Sequence, residues 1–223
     1  GFYRNFRGNS LETSLEVYYR KLKNIIDFKG GATLLMNEHI ETDLVNGTGK
    51  AYGAELMVKK VRGKFTGWIS YSYSRIFHRV ESQDPEKQVN EGEYYPAYYD
   101  KPNNLSLVWN YKYSRRISFS STLDYSDGRP VTLPLTSFNY LGGERLQYSD
   151  RNEFRIPYYF RWDLSVNIEG NLKSRKLAHS SVSLGLYNVT GRRNAYSVFF
   201  RTEDGIIKGY KLSVFGQPIP TVT

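Results

Sequence analysis

Apolar and polar side chains alternate with a period of two through most of this chain, and that periodicity excludes most folds at once. Between Tyr158 and Glu169 it is nearly unbroken. Tyr158, Phe160, Trp162, Leu164, Val166 and Ile168 fall on one face of an extended chain, and Tyr159, Arg161, Asp163, Ser165, Asn167 and Glu169 on the other. Successive side chains of a strand point to opposite faces, so this segment is a strand with one apolar and one polar side. Leu105, Leu107, Trp109 and Tyr111 oppose Asn104, Ser106, Val108 and Asn110 in the same way. Ile117, Phe119, Leu123 and Tyr125 oppose Ser118, Ser120, Thr122 and Asp124, and Val182, Leu184 and Leu186 oppose Ser181, Ser183 and Gly185. Less regular strands run over Leu11–Ile26, Gly49–Lys60, Phe65–Arg79 and from Lys208 to the end, which makes about eight strands and no convincing helix.

The connections alternate in length. Short turns lie at Arg62-Gly63-Lys64, Lys112–Arg116 and Asn171–Ala178, and long ones at Lys29–Thr48, Glu81–Asp100, Ser126–Pro157 and Thr190–Ile207. In an up-and-down antiparallel sheet this puts every long loop at one end and every short turn at the other, as in outer-membrane barrels. A tilted membrane crossing takes roughly 9 to 11 strand residues, which Tyr158–Ile168 supplies. Aromatic residues gather near strand ends, at Tyr18-Tyr19, Tyr71 with Tyr73, Tyr94-Tyr95, Tyr98-Tyr99 and Tyr158-Tyr159-Phe160, where amphipathic rings suit the headgroup level. The chain is 16% aromatic, yet its mean hydropathy is −0.57, so rings and polar groups must be interleaved. No stretch approaches the roughly 20 apolar residues of a membrane-spanning helix. The reading is therefore an all-β, antiparallel up-and-down transmembrane β-barrel. A soluble β-sandwich has the same two-faced strands, and periodicity leaves that alternative open.

Several segments resemble the C-terminal barrel of TonB-dependent outer-membrane receptors, in particular the SusC-like and carboxypeptidase-regulatory-like types of the Bacteroidetes. They are Glu16-Val17-Tyr18-Tyr19-Arg20 leading to Ile26-Asp27-Phe28, Ala51-Tyr52-Gly53-Ala54-Glu55-Leu56, and Gly67-Trp68-Ile69-Ser70-Tyr71-Ser72-Tyr73-Ser74-Arg75. Tyr95-Pro96-Ala97-Tyr98-Tyr99-Asp100-Lys101-Pro102, Arg155-Ile156-Pro157 through Arg161-Trp162-Asp163-Leu164-Ser165, and Tyr187-Asn188-Val189-Thr190-Gly191-Arg192-Arg193-Asn194-Ala195-Tyr196 follow in order. Pro218-Ile219-Pro220-Thr221-Val222-Thr223 resembles the opening of the family's last strand. Such receptors close about 22 strands around a plug. The resemblance thus implies that residues 1–223 are the C-terminal segment of a larger barrel, whose plug, TonB box and earlier strands lie outside it. The start at Gly1-Phe2-Tyr3-Arg4-Asn5-Phe6-Arg7 lacks the apolar core of a signal peptide, so the expectation is either that such a segment was removed or that the chain does not begin where its gene does.

The resemblance also implies a place in the bacterial outer membrane and an import function: a siderophore, vitamin, glycan or peptide is bound outside and passed to the periplasm. The implied partners are TonB, outer-membrane lipid and lipopolysaccharide, the barrel-assembly machinery, a SusD-like surface lipoprotein, and the small-molecule, glycan or peptide cargo. The competing reading is a soluble extracellular β-sandwich that binds carbohydrate.

Little in the chain points to an enzyme, a cofactor or a metal. His39, His78 and His179 are far apart, there is no Cys, and Gly47-Thr48-Gly49-Lys50 lacks the phosphate-loop spacing. Asp124, Asp127 and Gly128 lack the remaining acids of a calcium loop and read as a turn, and Asn188-Val189-Thr190 reads as a loop start although it fits a glycosylation sequon. A net charge of +9 permits anionic partners, but the basic residues are dispersed and nucleic acid is not expected. Arg161 and Asp163 share the polar face and are expected to join an ion-pair ladder, and Glu55 is expected to face the lumen as a contact to the plug. The candidate ligand residues lie in the long loops: Tyr94, Tyr95, Tyr98, Tyr99, Arg129, Tyr140 and Arg145. Aromatic faces and guanidinium groups are what an external vestibule uses to hold a cargo, and also what meets lipopolysaccharide phosphates.

Overall fold

The computed structural model describes residues 1–30, 32, 37–170, 180–203 and 206–223. The expected turn at Asn171–Ala178 and His179 lie outside them. From the start, β1 (Phe2–Phe6) turns into β2 (Leu11–Phe28), followed by β3 (Leu44–Lys60), β4 (Phe65–Arg79), the short β5 (Tyr95–Pro96), β6 (Asn103–Lys112) and β7 (Ile117–Ser126). Four short strands follow: β8 (Pro130–Val131), β9 (Pro134–Tyr140), β10 (Gly143–Tyr148) and β11 (Phe154–Arg155). The chain ends with β12 (Tyr159–Glu169), β13 (Ser181–Tyr187), β14 (Ala195–Glu203), β15 (Ile206–Ser213) and β16 (Ile219–Val222). Among the described residues the only helical turns are 3-10, at Ile40–Asp43, Pro85–Lys87 and Asn90–Gly92.

The main sheet runs β1-β2-β3-β4-β6-β7-β12-β13-β16, with β5 added beside β4. Each long strand pairs antiparallel with its successor, which is the up-and-down arrangement that the alternating loops predict. Three corrections apply. The expected strand from Lys208 to the end is two strands: β15 pairs with β14 in a separate hairpin, and β16 returns to β13. Phe215, at φ +53, and Pro218 interrupt the extended chain between them. Phe2–Phe6 adds a strand that its short pattern does not announce. The long stretches Ser126–Pro157 and Thr190–Ile207 are also not plain loops, because β9–β10 and β14 lie within them.

Cross-strand partners share a face, so the register sorts every side chain. On one face Trp162 lies opposite Leu123, Leu107 opposite Leu123, Ile69 opposite Leu107, Val58 opposite Ile69, and Leu15 opposite Leu56. On the other, Ser165 lies opposite Ser120, Ser106 opposite Asp124, Ser70 opposite Ser106, and Glu16 opposite Glu55. Ser121 is a polar residue within the apolar stretch of that face. It accepts a 2.8 Å hydrogen bond from Trp162 Nε1, which satisfies the one donor of the indole. Gly67, also on the apolar face, has φ +150, and a Cβ there would collide with the carbonyl of Val108.

A sandwich would bury its apolar face against a second sheet, and among the described residues no second sheet covers that face. Val17 is 74% exposed and Leu184 46%, whereas the buried apolar residues are Val45, Ala51, Val80, Val89, Tyr95 and Ala97, at the long-loop end. A continuous bare apolar wall of this size needs a nonaqueous neighbour. The sandwich alternative is overturned.

Candidate functional site

The long connections are tied to one another above the sheet. At the end of β2, Asp27 Oδ1 accepts hydrogen bonds from Arg151 Nη1 at 2.9 Å and from the Phe28 N–H at 2.7 Å, while its Oδ2 accepts from the Tyr95 hydroxyl at 2.7 Å. Arg151 also donates to the Phe28 carbonyl at 2.9 Å, and its backbone N–H donates to Asn90 Oδ1 at 2.8 Å. Asn152 Nδ2 donates to the Pro96 carbonyl at 2.8 Å. A second knot surrounds Asp100, which is fully buried. Its carboxylate accepts from Arg155 and from the Ile76 N–H, with Arg75 Nε 3.4 Å away. Arg155 Nη1 also donates to the Asp100 carbonyl at 2.7 Å and to that of Gly128 at 3.0 Å. Buried carboxylates persist only with such donors.

Burial, and then the hydrogen bond to Asp27, pushes the Tyr95 hydroxyl well above the ordinary tyrosine range. The folded chain holds this proton more tightly than the unfolded chain does. The stabilisation is therefore complete below about pH 10 and declines as the pH rises above it, where the unfolded chain alone loses the proton. Limited proteolysis of the loops should accelerate as the pH rises from about 10 to about 12, and Tyr95→Phe should flatten that response. An unchanged pH response in the variant would show that Tyr95 does not govern it.

Beside the tied loops, where β7, β12 and β13 end, the polar face opens into a pocket of about 340 Å³. Pockets of this size hold small molecules. Lys101, Arg129 and Arg161 bring positive charge to it, Tyr159, Tyr187, Tyr196 and Phe215 bring rings, and Asn188 and Asn194 bring amides. Asp127, its one carboxylate, is already engaged: Oδ2 accepts from the N–H and Nδ2 of Asn103 at 3.0 and 2.6 Å, and Oδ1 from the Tyr125 hydroxyl at 2.9 Å. Arg161 is fixed below. Its Nη2 lies 3.1 Å from Asp124 Oδ2, its Nε 3.1 Å from Asp163 Oδ2, and its Nη1 donates to the Tyr187 hydroxyl at 3.2 Å. The expected ladder of Arg161 and Asp163 is thus present, extended by Asp124 and by Ser106, whose hydroxyl donates to Asp124 Oδ1 at 2.8 Å. Asn188 is buried, and its Nδ2 donates to the carbonyls of Arg192 and Phe215, so the sequon asparagine closes the pocket edge.

The loop residues singled out in the sequence separate. Tyr94 lies on the apolar side, where Lys50 Nζ sits 3.9 Å from its ring centre. Tyr95 is 1% exposed, so it offers a cargo no surface. Tyr98 and Tyr99 are exposed: Tyr98 lies under the Arg129 guanidinium at 4.4 Å, and Tyr99 has its hydroxyl 3.5 Å from His78 Nε2. Tyr140 and Arg145 belong to the β9–β10 hairpin and do not line the pocket. Of those residues only Arg129 lines it. Tyr159, Tyr187 and Tyr196 were missed. Tyr159 shares the polar parity of Arg161 at the loop end of its strand, a signal that was there to read.

Residues 1–189 match the family model described as TonB dependent receptor-like, beta-barrel. The chain belongs to the TonB-dependent receptor β-barrel family. Among solved structures it is similar to the ferripyoverdine receptor of the outer membrane of Pseudomonas aeruginosa, bound to ferripyoverdine, with a TM-score of 0.54 and 14% identity over 97% of this chain. That likeness concerns the fold, and this chain spans 24% of that receptor's length. No curated protein sequence matches it.

Membership in the TonB-dependent receptor family places the chain in the bacterial outer membrane. Its apolar face meets lipid and its polar face lines the lumen, with the tied loops and the pocket at the extracellular end. Glu55 falls on the lumen face, directly opposite Glu16.

Proposed function

We propose that this chain forms the wall and part of the external vestibule of a TonB-dependent importer, and that the lumen-side pocket receives an anionic, oxygen-rich cargo carrying a planar group. No bond is made or broken. The observation that carries this reading is the pocket's lining, in which the only carboxylate is engaged internally while Lys101 and Arg129 present positive charge beside four rings. A ferric chelate meets that description better than a neutral glycan does. A vitamin or an acidic peptide meets it in part. The neighbouring structure is itself a receptor holding a ferric chelate, which supports the reading.

The remaining machinery lies elsewhere in the receptor. The main sheet is open, with β1 and β16 at its edges, and an open edge in hydrocarbon leaves backbone groups unsatisfied at several kcal/mol each. Further strands pairing with both edges would satisfy those groups, and with a plug carrying the TonB contact in the lumen residues 1–223 would act as the C-terminal segment of one barrel. A surface lipoprotein of the SusD-like kind would meet the β9–β10 and β14–β15 hairpins.

The test uses the whole receptor in detergent with a panel of anionic ferric chelates and a neutral oligosaccharide. Arg129→Ala should weaken chelate binding about ten-fold or more, the worth of one hydrogen bond to a charged group. Binding of the neutral sugar alone, unaffected by this change, would overturn the assignment.

A further inference from the structure

The short-turn end of the lumen face carries a second cavity, of about 640 Å³, with no lining residue in common with the cargo pocket. Lys64, just before β4, and Lys112, at the end of β6, meet there, and the Lys112 N–H donates to the Lys64 carbonyl at 2.7 Å. Lys112 also pairs with Ser118, in the parity of the lumen residues Asn110 and Ser120. Side chains directly opposite on antiparallel strands have Cβ atoms about 4.5–5.5 Å apart, and like charges in that position repel. Among the described residues no carboxylate lies within ion-pair distance of either ammonium. The turn after β6 adds two more cations. Ser114 Oγ accepts from the N–H of Arg116 at 3.2 Å and from that of Ile117 at 3.0 Å, which fixes the turn that brings Arg115 and Arg116 to the cavity. Glu169 is the one carboxylate of the lining, so four cations stand against one anion.

A cleft lined by one sign of charge concentrates counter-ions, and a volume of this size admits a small molecule. The cavity is also remote from the cargo pocket. The row of Arg161, Asp124 and Ser106 lies six residues from Lys112 along β6, about 20 Å at the rise of an antiparallel strand, and Asn110, Ser120 and Ser165 in between are neutral. We propose that this cavity is a periplasmic-end binding site for a small multivalent oxyanion, a polyphosphate or a di- or tricarboxylate, held between Lys64 and Lys112. A phospholipid headgroup fits less well, because Lys112 has the lumen parity and not that of its lipid-facing neighbour Tyr111, which pairs with Phe65. The oxyanion arrives either from the periplasm or as imported cargo on its way out, and the chemistry of the site is the same for both. Only the second source rests on the cargo reading above.

The test is isothermal titration calorimetry of the whole receptor in detergent with inorganic pyrophosphate. Each variant is first checked for wild-type heat-modifiable gel mobility. Lys64→Gln with Lys112→Gln should weaken pyrophosphate binding about a hundred-fold, which is about ten-fold for each lost hydrogen bond to a charged group. If the pair fails the mobility check, Lys112→Gln alone is read against the ten-fold loss. Two controls should bind as wild type: Arg129→Ala, in the cargo pocket, and Lys60→Gln, at the same end of the sheet but opposite Gly67 on the lipid face. Repeating the titration with an anionic ferric chelate present separates the sources. Competition marks the ligand as cargo in transit and its absence marks a periplasmic anion, and both support the site. Absence of saturable binding by wild type, or equal binding by the double variant and wild type, would overturn the proposal. So would an equal loss in either control, which would put the anion in the cargo pocket or on a diffuse rim of charge.

Discussion

Replacing Leu164 by Arg is expected to destabilise the barrel by about 2–4 kcal/mol, whereas replacing Ser165 by Arg changes stability by about 0.5 kcal/mol or less. The residues are adjacent and both lie mid-strand, but Leu164 pairs with Ser121 and Leu186 on the lipid face, and Ser165 with Ser120 and Gly185 on the lumen face. A guanidinium at Leu164 must enter hydrocarbon or drag water into it, while at Ser165 it stays solvated. Denaturant unfolding of the whole receptor in lipid vesicles measures both. Equal losses at the two positions would mean that the faces are misassigned and that the bare apolar wall meets something other than lipid.

Asp100→Ala carries the second large effect. It leaves Arg155 and Arg75 facing a site from which their carboxylate has gone, and breaking one side of a buried pair costs about 3–5 kcal/mol. The loss falls on the loops and not on the ladders of the main sheet, because the carboxylate bonds removed join residues 76, 100 and 155 outside the strand pairing. Hydrogen exchange should therefore rise in residues 81–102 and 127–158 while β6, β7 and β12 keep their protection. Asp100→Ala combined with Arg155→Met should recover part of the loss, since no unpaired charge at 155 then remains. Exchange rising uniformly through the strands would show that the knot holds the sheet as well as the loops.

The strands were legible because lipid imposes a strict alternation, and residues such as Phe160 to Ile168 obey it without interruption. The end of the chain was less legible. Lys208 to Ser213 and Ile219 to Val222 both read as extended, and only the turn at Phe215 and the pairing partners separate them. The fate of the tyrosines was not legible at all. Tyr94 and Tyr95 are neighbours of one type, yet an extended backbone sends one to the lipid side and the other into the space beneath the loops, and a half-buried acceptor at Asp27, distant in sequence, decides what the second one does. The pocket was hidden for a related reason. Its walls come from the ends of β7, β12 and β13 and from the β14–β15 hairpin, so no single segment carries its pattern. Where one strand does carry part of it, as at Tyr159, Arg161 and Asp163, parity was enough to predict the ion pairs.

The link from Arg151 to Asp27 joins residues 124 positions apart. Closing so long a chain directly is entropically costly, and the cost becomes small only after the intervening strands have zipped in sequence and carried the two ends together. The vestibule is thus ordered last. A receptor whose ladder stalls at β4 or β6 cannot close its extracellular surface, and such a chain would display frayed loops that surface proteases can tell from finished ones. In this way the same two side chains that shape the mouth also report that the wall beneath it is complete.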